Sequence, residues 1–224
     1  MRAKKTWLWW SSGKDSAWSL HLLQNDPRYD VTRLVTTVTD QFQRVAMHAV
    51  RVELLRRQAA AAGLDLLISE IPYPCPNERY ARAVQEILAE ARRDGVECMA
   101  FGDLFLEDIR AYREGLLEGT EFEPVFPLWS RDTRELADEM LAGGLVAYVT
   151  CIDPKVLPAG FAGRRYDARF IEDLPAGVDP CGENGEFHTF VYEGPMFAGP
   201  IPVQPGEREE RDGFVFGDVV AVSE

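Results

Sequence analysis

The feature that most constrains this chain is a polar hexapeptide, Ser11-Ser12-Gly13-Lys14-Asp15-Ser16. It lies between an apolar run at residues 6–10 and an amphipathic stretch at residues 15–23. Strands that alternate with helices of ten or more residues argue for a parallel sheet. The chain supplies four more candidate strands. Residues 32–38 are rich in β-branched side chains, and residues 66–71, 96–101 and 122–126 are short apolar segments. Helical periodicity fills the intervals. Met47, Val50, Leu54 and Ala61 keep the three-four spacing over residues 47–62, with Gly63 as a stop. Tyr80, Val84, Ile87, Leu88 and Ala91 share a face after Asn77, and Gly95 closes that helix. Residues 108–117 supply the last. The pattern predicts an α/β fold: a parallel five-stranded sheet with helices on both faces.

Beyond Pro127 the texture changes. Asp132 and Glu135 read as the capped start of a helix that Gly143-Gly144 ends, and residues 146–152 read as a strand. From Asp153 onward Pro and Gly are frequent and no helix signal is present. Phe187, Phe190, Val191, Tyr192, Met196 and Phe197 still give this tail apolar content, which predicts folded loops and short strands. The expected division is residues 1–128 as one domain and residues 129–224 as a smaller α+β domain.

Composition removes several classes of function. Hydrophobic residues make up 46%, enough for a real core, so disorder is excluded. No apolar run reaches the roughly 18 residues of a membrane span. The formal charge is −13, which repels phosphate backbones and argues against bulk nucleic-acid binding. Cys75, Cys98, Cys151 and Cys181 form no C-x-x-C pair, and His21, His48 and His188 do not join them at zinc-finger spacing. The N-terminal MRAKKTWLWW has an apolar stretch of only four residues, Trp7 to Trp10, too short for a secretory signal. These features predict a reducing, cytoplasmic protein.

The hexapeptide has the chemistry of an anion cradle. A turn there aims backbone N–H groups and a helix N-terminus at one point. Gly13 permits close approach, the hydroxyls of Ser11, Ser12 and Ser16 can donate, and Lys14 can neutralise charge. Asp15 can hold magnesium or its waters. An ordinary serine-capped turn would have the same composition. Asp103, directly after the fourth strand, is a second candidate metal carboxylate, or a simple cap. A second cluster lies far away in sequence. Glu183, Glu186, His188 and Thr189 fall within seven residues, around Gly182 and Gly185. If residues 186–190 are extended, Glu186 and His188 share one face, an acid beside an imidazole suited to proton transfer.

The hexapeptide resembles the pyrophosphate-binding loop of the PP-loop ATP pyrophosphatases, written S-G-G-x-D-S. Ser12 stands where a glycine is usual, at an energetic cost if that residue needs a positive φ. Together with Phe101-Gly102-Asp103, Pro127-Leu128-Trp129 and the G-E-x-G-E segment at residues 182–186, the chain resembles the diphthine–ammonia ligase family over nearly its whole length. That resemblance implies a sheet order of 3-2-1-4-5, and a C-terminal domain that completes the substrate site. It implies ATP-dependent activation of a carboxylate, release of AMP and pyrophosphate, and capture by ammonia to give an amide. Residues 11–16 would cradle ATP phosphates, and Asp15 and Asp103 would hold Mg2+. Gly182, Glu183, Glu186 and Thr189 would lie at the substrate end, with His188 a further candidate. Arg110, within reach of an anion near Asp103, is a candidate substrate residue, and Met47 and His48 would open the second helix near the site. The substrate that the resemblance implies is a small-molecule or protein-borne carboxylate: diphthine on elongation factor 2 in eukaryotes and archaea, and another acid, such as a metabolite, in a bacterial member. The competing readings are a catalytically silent nucleotide sensor, a tRNA-modifying relative and an ATP-independent hydrolase. The negative charge and missing cysteine pair oppose the tRNA enzyme, and the hydrolase leaves the phosphate loop unexplained.

Overall fold

A computed structural model describes residues 2–40, 44–45 and 50–222. The first sheet contains β1 (Lys4–Trp9), β2 (Tyr29–Thr39), β3 (Arg44–Val45), β4 (Asp65–Ile71), β5 (Cys98–Ala100) and β6 (Glu123–Val125). Its parallel strands run in the order β4-β2-β1-β5-β6, which is 3-2-1-4-5 when β3 is set aside. The two-residue β3 pairs antiparallel with Val38 and Thr39, past the last β1 partner at Val35.

Five helices cover this sheet: α1 (Lys14–Gln24), α2 (Val52–Ala62), α3 (Asn77–Arg93), α4 (Glu107–Leu117) and α5 (Thr133–Ala142). Alternation along β1 decides which face each covers. Leu8 joins a core with Leu20, Leu54 and Met140, from α1, α2 and α5. Trp7 joins a separate core with Val84, Ile87 and Leu117, from α3 and α4. Helix α2 begins at Val52 with extended Arg51 as its N-cap, and buried Val50 precedes it outside the helix. Met47 and His48 lie outside the described residues. Helix α5 starts as expected, with the Asp132 carboxylate accepting from the backbone N–H groups of Arg134 and Glu135 at 3.0 and 2.9 Å.

The second sheet is antiparallel: β7 (Val146–Ile152), β8 (Arg165–Tyr166), β9 (Phe187–Glu193), β10 (Val203–Arg211) and β11 (Phe214–Ala221). Strand β7 pairs with β8, β9 and β11. Two expectations for the tail need correction. Residues beyond Asp153 do contain a helix, α6 (Ala168–Glu172), begun by the Asp167 carboxylate accepting from Phe170 N at 2.9 Å. It is only five residues long, too short for a periodic signal. Strands β10 and β11 are long, not short. Strand β10 escaped detection because it is an exposed edge, with Glu207, Arg208, Glu209 and Glu210 in place of an apolar alternation. The two sheets share one core: Leu8 and Leu34 belong to the same cluster as Val149, Phe190 and Val215. Among the described residues, no helix is long and apolar enough to cross a membrane.

Candidate active site

The chain leaves β1, turns through Ser11 and Ser12, and enters α1 with Gly13 as N-cap. Ser12 adopts φ +73°, the left-handed region. The expected cost of a serine there is therefore real, about 1–3 kcal/mol for a residue with a Cβ. Its hydroxyl is buried with no hydrogen-bond partner. The Ser12 carbonyl is held twice, by Gln58 Nε2 at 3.0 Å and by Val191 N at 3.1 Å. Gly102 closes the other side: a Cβ at that position would come within 3.0 Å of Ser16 N. The end of β5 thus meets the first turn of α1 at backbone distance, where N–H groups lack intrahelical partners.

These contacts enclose a cavity of about 480 Å³, within the range of small-ligand sites. Ser11, Lys14, Asp15 and Ser16 line it from the loop, and Gly102 and Asp103 from the end of β5. Gly182, Glu183, His188 and Thr189 line it from the C-terminal region. The two distant signatures therefore share one site, and they touch: Lys14 N donates to Thr189 Oγ1 at 3.0 Å.

Not every candidate reaches the cavity. Ser12 is wholly buried, so its hydroxyl does not face a ligand there. Glu186 is buried within the turn of residues 179–186, where its Oε1 accepts from Asp179 N at 3.2 Å and Asn184 Nδ2 at 3.0 Å. It shapes residues 179–186 rather than lining the site. Arg110 faces a separate cavity of about 400 Å³, where its guanidinium stacks on Phe126 and Trp129 and bonds Glu114. One helical turn later Arg113 takes the place expected of Arg110, lining the main cavity and pairing with Asp103 at 3.5 Å.

The electrostatics divide the carboxylates by role. Lys14 does not extend into open space. Its ammonium, 2% exposed, bonds both Asp15 oxygens at 3.0 and 2.9 Å and the Cys181 carbonyl, over the rings of Tyr166 and Phe187. Burial is the strongest single influence and pulls its pKa down, but the Asp15 carboxylate, with Cys181 and Glu183 adding to it, keeps the pKa above the ordinary lysine value. Glu183 behaves differently. Burial, reinforced by the Asp15 charge, pushes its carboxyl up to about 7, against a smaller opposing effect from the Leu104 N–H that it accepts at 2.8 Å. Backbone geometry holds it in place: Glu183 N donates to Asp179 at 2.8 Å, and Gly182 takes φ +69° with its Cα against the Phe187 backbone.

Two family models match the chain. The diphthamide synthase N-terminal domain covers residues 4–118, and the diphthamide synthase C-terminal domain covers residues 132–219. The chain belongs to the diphthamide synthase family. Curated relatives in that family are distant. A mouse protein named diphthine–ammonia ligase is 22% identical over 194 residues, covering 80% of this chain and 70% of its own. Its human counterpart is 24% identical over 178 residues, covering 74% of this chain and 66% of its own. A bovine protein of the same name is 23% identical over 190 residues, covering 80% and 70%. In this member of the diphthamide synthase family, sequence reading missed two residues of the site, Gln58 and Arg113. Each left a trace. Gln58 is a polar residue in the buried stripe of Leu54, Leu55 and Ala59, and Arg113 lies three positions after Arg110.

Proposed function

We propose that this chain is an ATP-dependent ligase that activates a carboxylate as an acyl-adenylate and passes it to ammonia. The observation that carries the reading is the single cavity that joins the loop of residues 11–16 to Glu183 and Thr189. Ser11, Ser16 and the first turn of α1 would take the β and γ phosphates. Asp15 and Asp103 would hold a magnesium ion, which supplies charge neutralisation at the phosphates when bound. The donor set fits. Magnesium commonly takes only one or two carboxylates together with phosphate oxygens, and both aspartates line the cavity beside the N-terminus of α1. Arg113 and Lys14 balance these carboxylates.

In the first step an oxygen of the substrate carboxylate attacks the α phosphorus, and the bond to the bridging β oxygen breaks, freeing pyrophosphate. In the second, ammonia attacks the acyl carbon, the bond to the AMP oxygen breaks, and the spare proton passes to Glu183. A carboxyl near pKa 7 suits that transfer at neutral pH. The relatives' name makes diphthine the first acid to test, with free metabolite acids beside it. A reducing, cytoplasmic setting belongs to the same proposal, supported by four free thiols.

The test is incubation with α-labelled ATP, magnesium and ammonium. One arm adds elongation factor 2 carrying diphthine, and another adds a pool of metabolite acids. Labelled AMP that depends on an acid is the expected result. Labelled ADP as the main product would overturn the reading. ATP binding without turnover on any acid would leave a nucleotide sensor instead.

A further inference from the structure

Resting on the phosphate-loop reading above, a second feature explains how this chain tolerates serine at the strained position. Gln58 is fully buried on α2, yet both N–H groups and the oxygen of its side-chain amide are used. Its oxygen accepts from Trp10 Nε1 at 2.8 Å, at the end of the first strand. Its nitrogen donates to Ser12 O at 3.0 Å and to Val191 O at 2.7 Å. Val191 N in turn donates to the same Ser12 carbonyl at 3.1 Å. One side chain therefore ties together the loop, the strand before it and β9 of the second sheet. Two residues before Val191 lies Thr189, which accepts from Lys14 N.

We infer that Gln58 is a positioning residue for phosphate binding, clamping Ser12 in its left-handed conformation and fixing the loop against β9. Both donors are required. Asparagine is one methylene shorter, and glutamate loses the two N–H groups. Without the clamp Ser12 has reason to relax toward negative φ, since a side chain gains nothing from the left-handed region. The peptide planes on either side of Ser12 would then turn, and the N–H groups of the loop would no longer converge on one anion.

The inference is tested by calorimetric binding of inorganic pyrophosphate and of ATP, each with magnesium, alongside melting temperature. Gln58→Met should weaken both ligands about tenfold, the scale of one or two buried hydrogen bonds. Gln58→Glu keeps the volume and the acceptor for Trp10, and should show a similar loss if Gln58→Met fails to fold. The discriminating variant is Ser12→Gly, because glycine holds a positive φ without strain. In that background Gln58→Met should cost no more than about threefold, so the two substitutions are non-additive in binding. Equal penalties in the two backgrounds would overturn the clamp, even if the melting temperature falls. So would a Gln58→Met protein that binds as the parent does. If the parent itself bound neither pyrophosphate nor ATP, the phosphate-loop reading would fail first, an outcome distinct from the other two.

Discussion

Glu183→Gln should reduce amide formation by about 100-fold or more, the usual worth of a general base, while ATP affinity stays within a few-fold. Glutamine keeps the volume and the oxygen that accepts from Leu104 N. It cannot take a proton. Glu183 faces the cavity, whereas Glu186 lies buried in the turn of residues 179–186, so equivalent loss is not expected by the same route from Glu186→Gln. The pH dependence gives an independent signature. At fixed free ammonia, turnover should rise with pH and level off above about 7, following ionisation of Glu183. The variant should lose that inflection. Stability should run the other way. The folded-state pKa is raised above the ordinary 4.5, so the folded protein holds this proton more tightly than the unfolded chain. The resulting stabilisation is fully present below about pH 4.5 and is lost as pH rises through about 7. Turnover of Glu183→Gln within a few-fold of the parent would remove Glu183 from the proton transfer.

The second large effect concerns Asp15, whose removal does more than empty a metal site. Asp15→Asn leaves the Lys14 ammonium buried without its paired negative charge, with only neutral partners in contact: the amide oxygen, the Cys181 carbonyl and two ring faces. Breaking a buried pair from one side costs about 3 kcal/mol or more. Lys14→Met should cost less, because the Asp15 carboxylate it orphans is about a quarter exposed and water can solvate it. The double variant should be more stable than Asp15→Asn alone, since no buried charge remains unpaired. Urea unfolding of the four proteins measures this. Simple additivity would contradict the pairing, and it would mean that any loss of activity in Asp15→Asn arises at the phosphates alone.

The parallel sheet was legible because strand and helix periods alternate cleanly, and because buried parallel strands are short and apolar. Strand β5 is only three residues long, yet Cys98, Met99 and Ala100 are all buried and the run stood out. Strand β10 was not legible, since an edge strand that faces water carries charge where a core strand carries apolar alternation. The two signatures were legible as chemistry but not as geometry. Extended-strand alternation put Glu186 with His188. The strand begins at Phe187, and the turn before it folds Glu186 inward to accept from Asp179 N. Arg110 and Arg113 both lie on α4, and only packing decides which faces the site: the first stacks on Phe126 and Trp129, the second over Phe101. Gln58 was invisible for another reason. A buried glutamine has meaning only through three partners, two from residues 10–12 and one from Val191, which are far apart in sequence.

Adenylation of a carboxylate transfers one of its oxygens to AMP, so the most direct measurement is the fate of that oxygen. The acid that stimulates AMP release would be labelled with oxygen-18 in its carboxyl group and turned over with ATP, magnesium and ammonium. Mass spectrometry of the AMP should show one labelled oxygen on its phosphate, and the amide should keep the other. ADP in place of AMP, with the label appearing in inorganic phosphate, would contradict attack at the α phosphorus and place the chemistry at the γ phosphate instead.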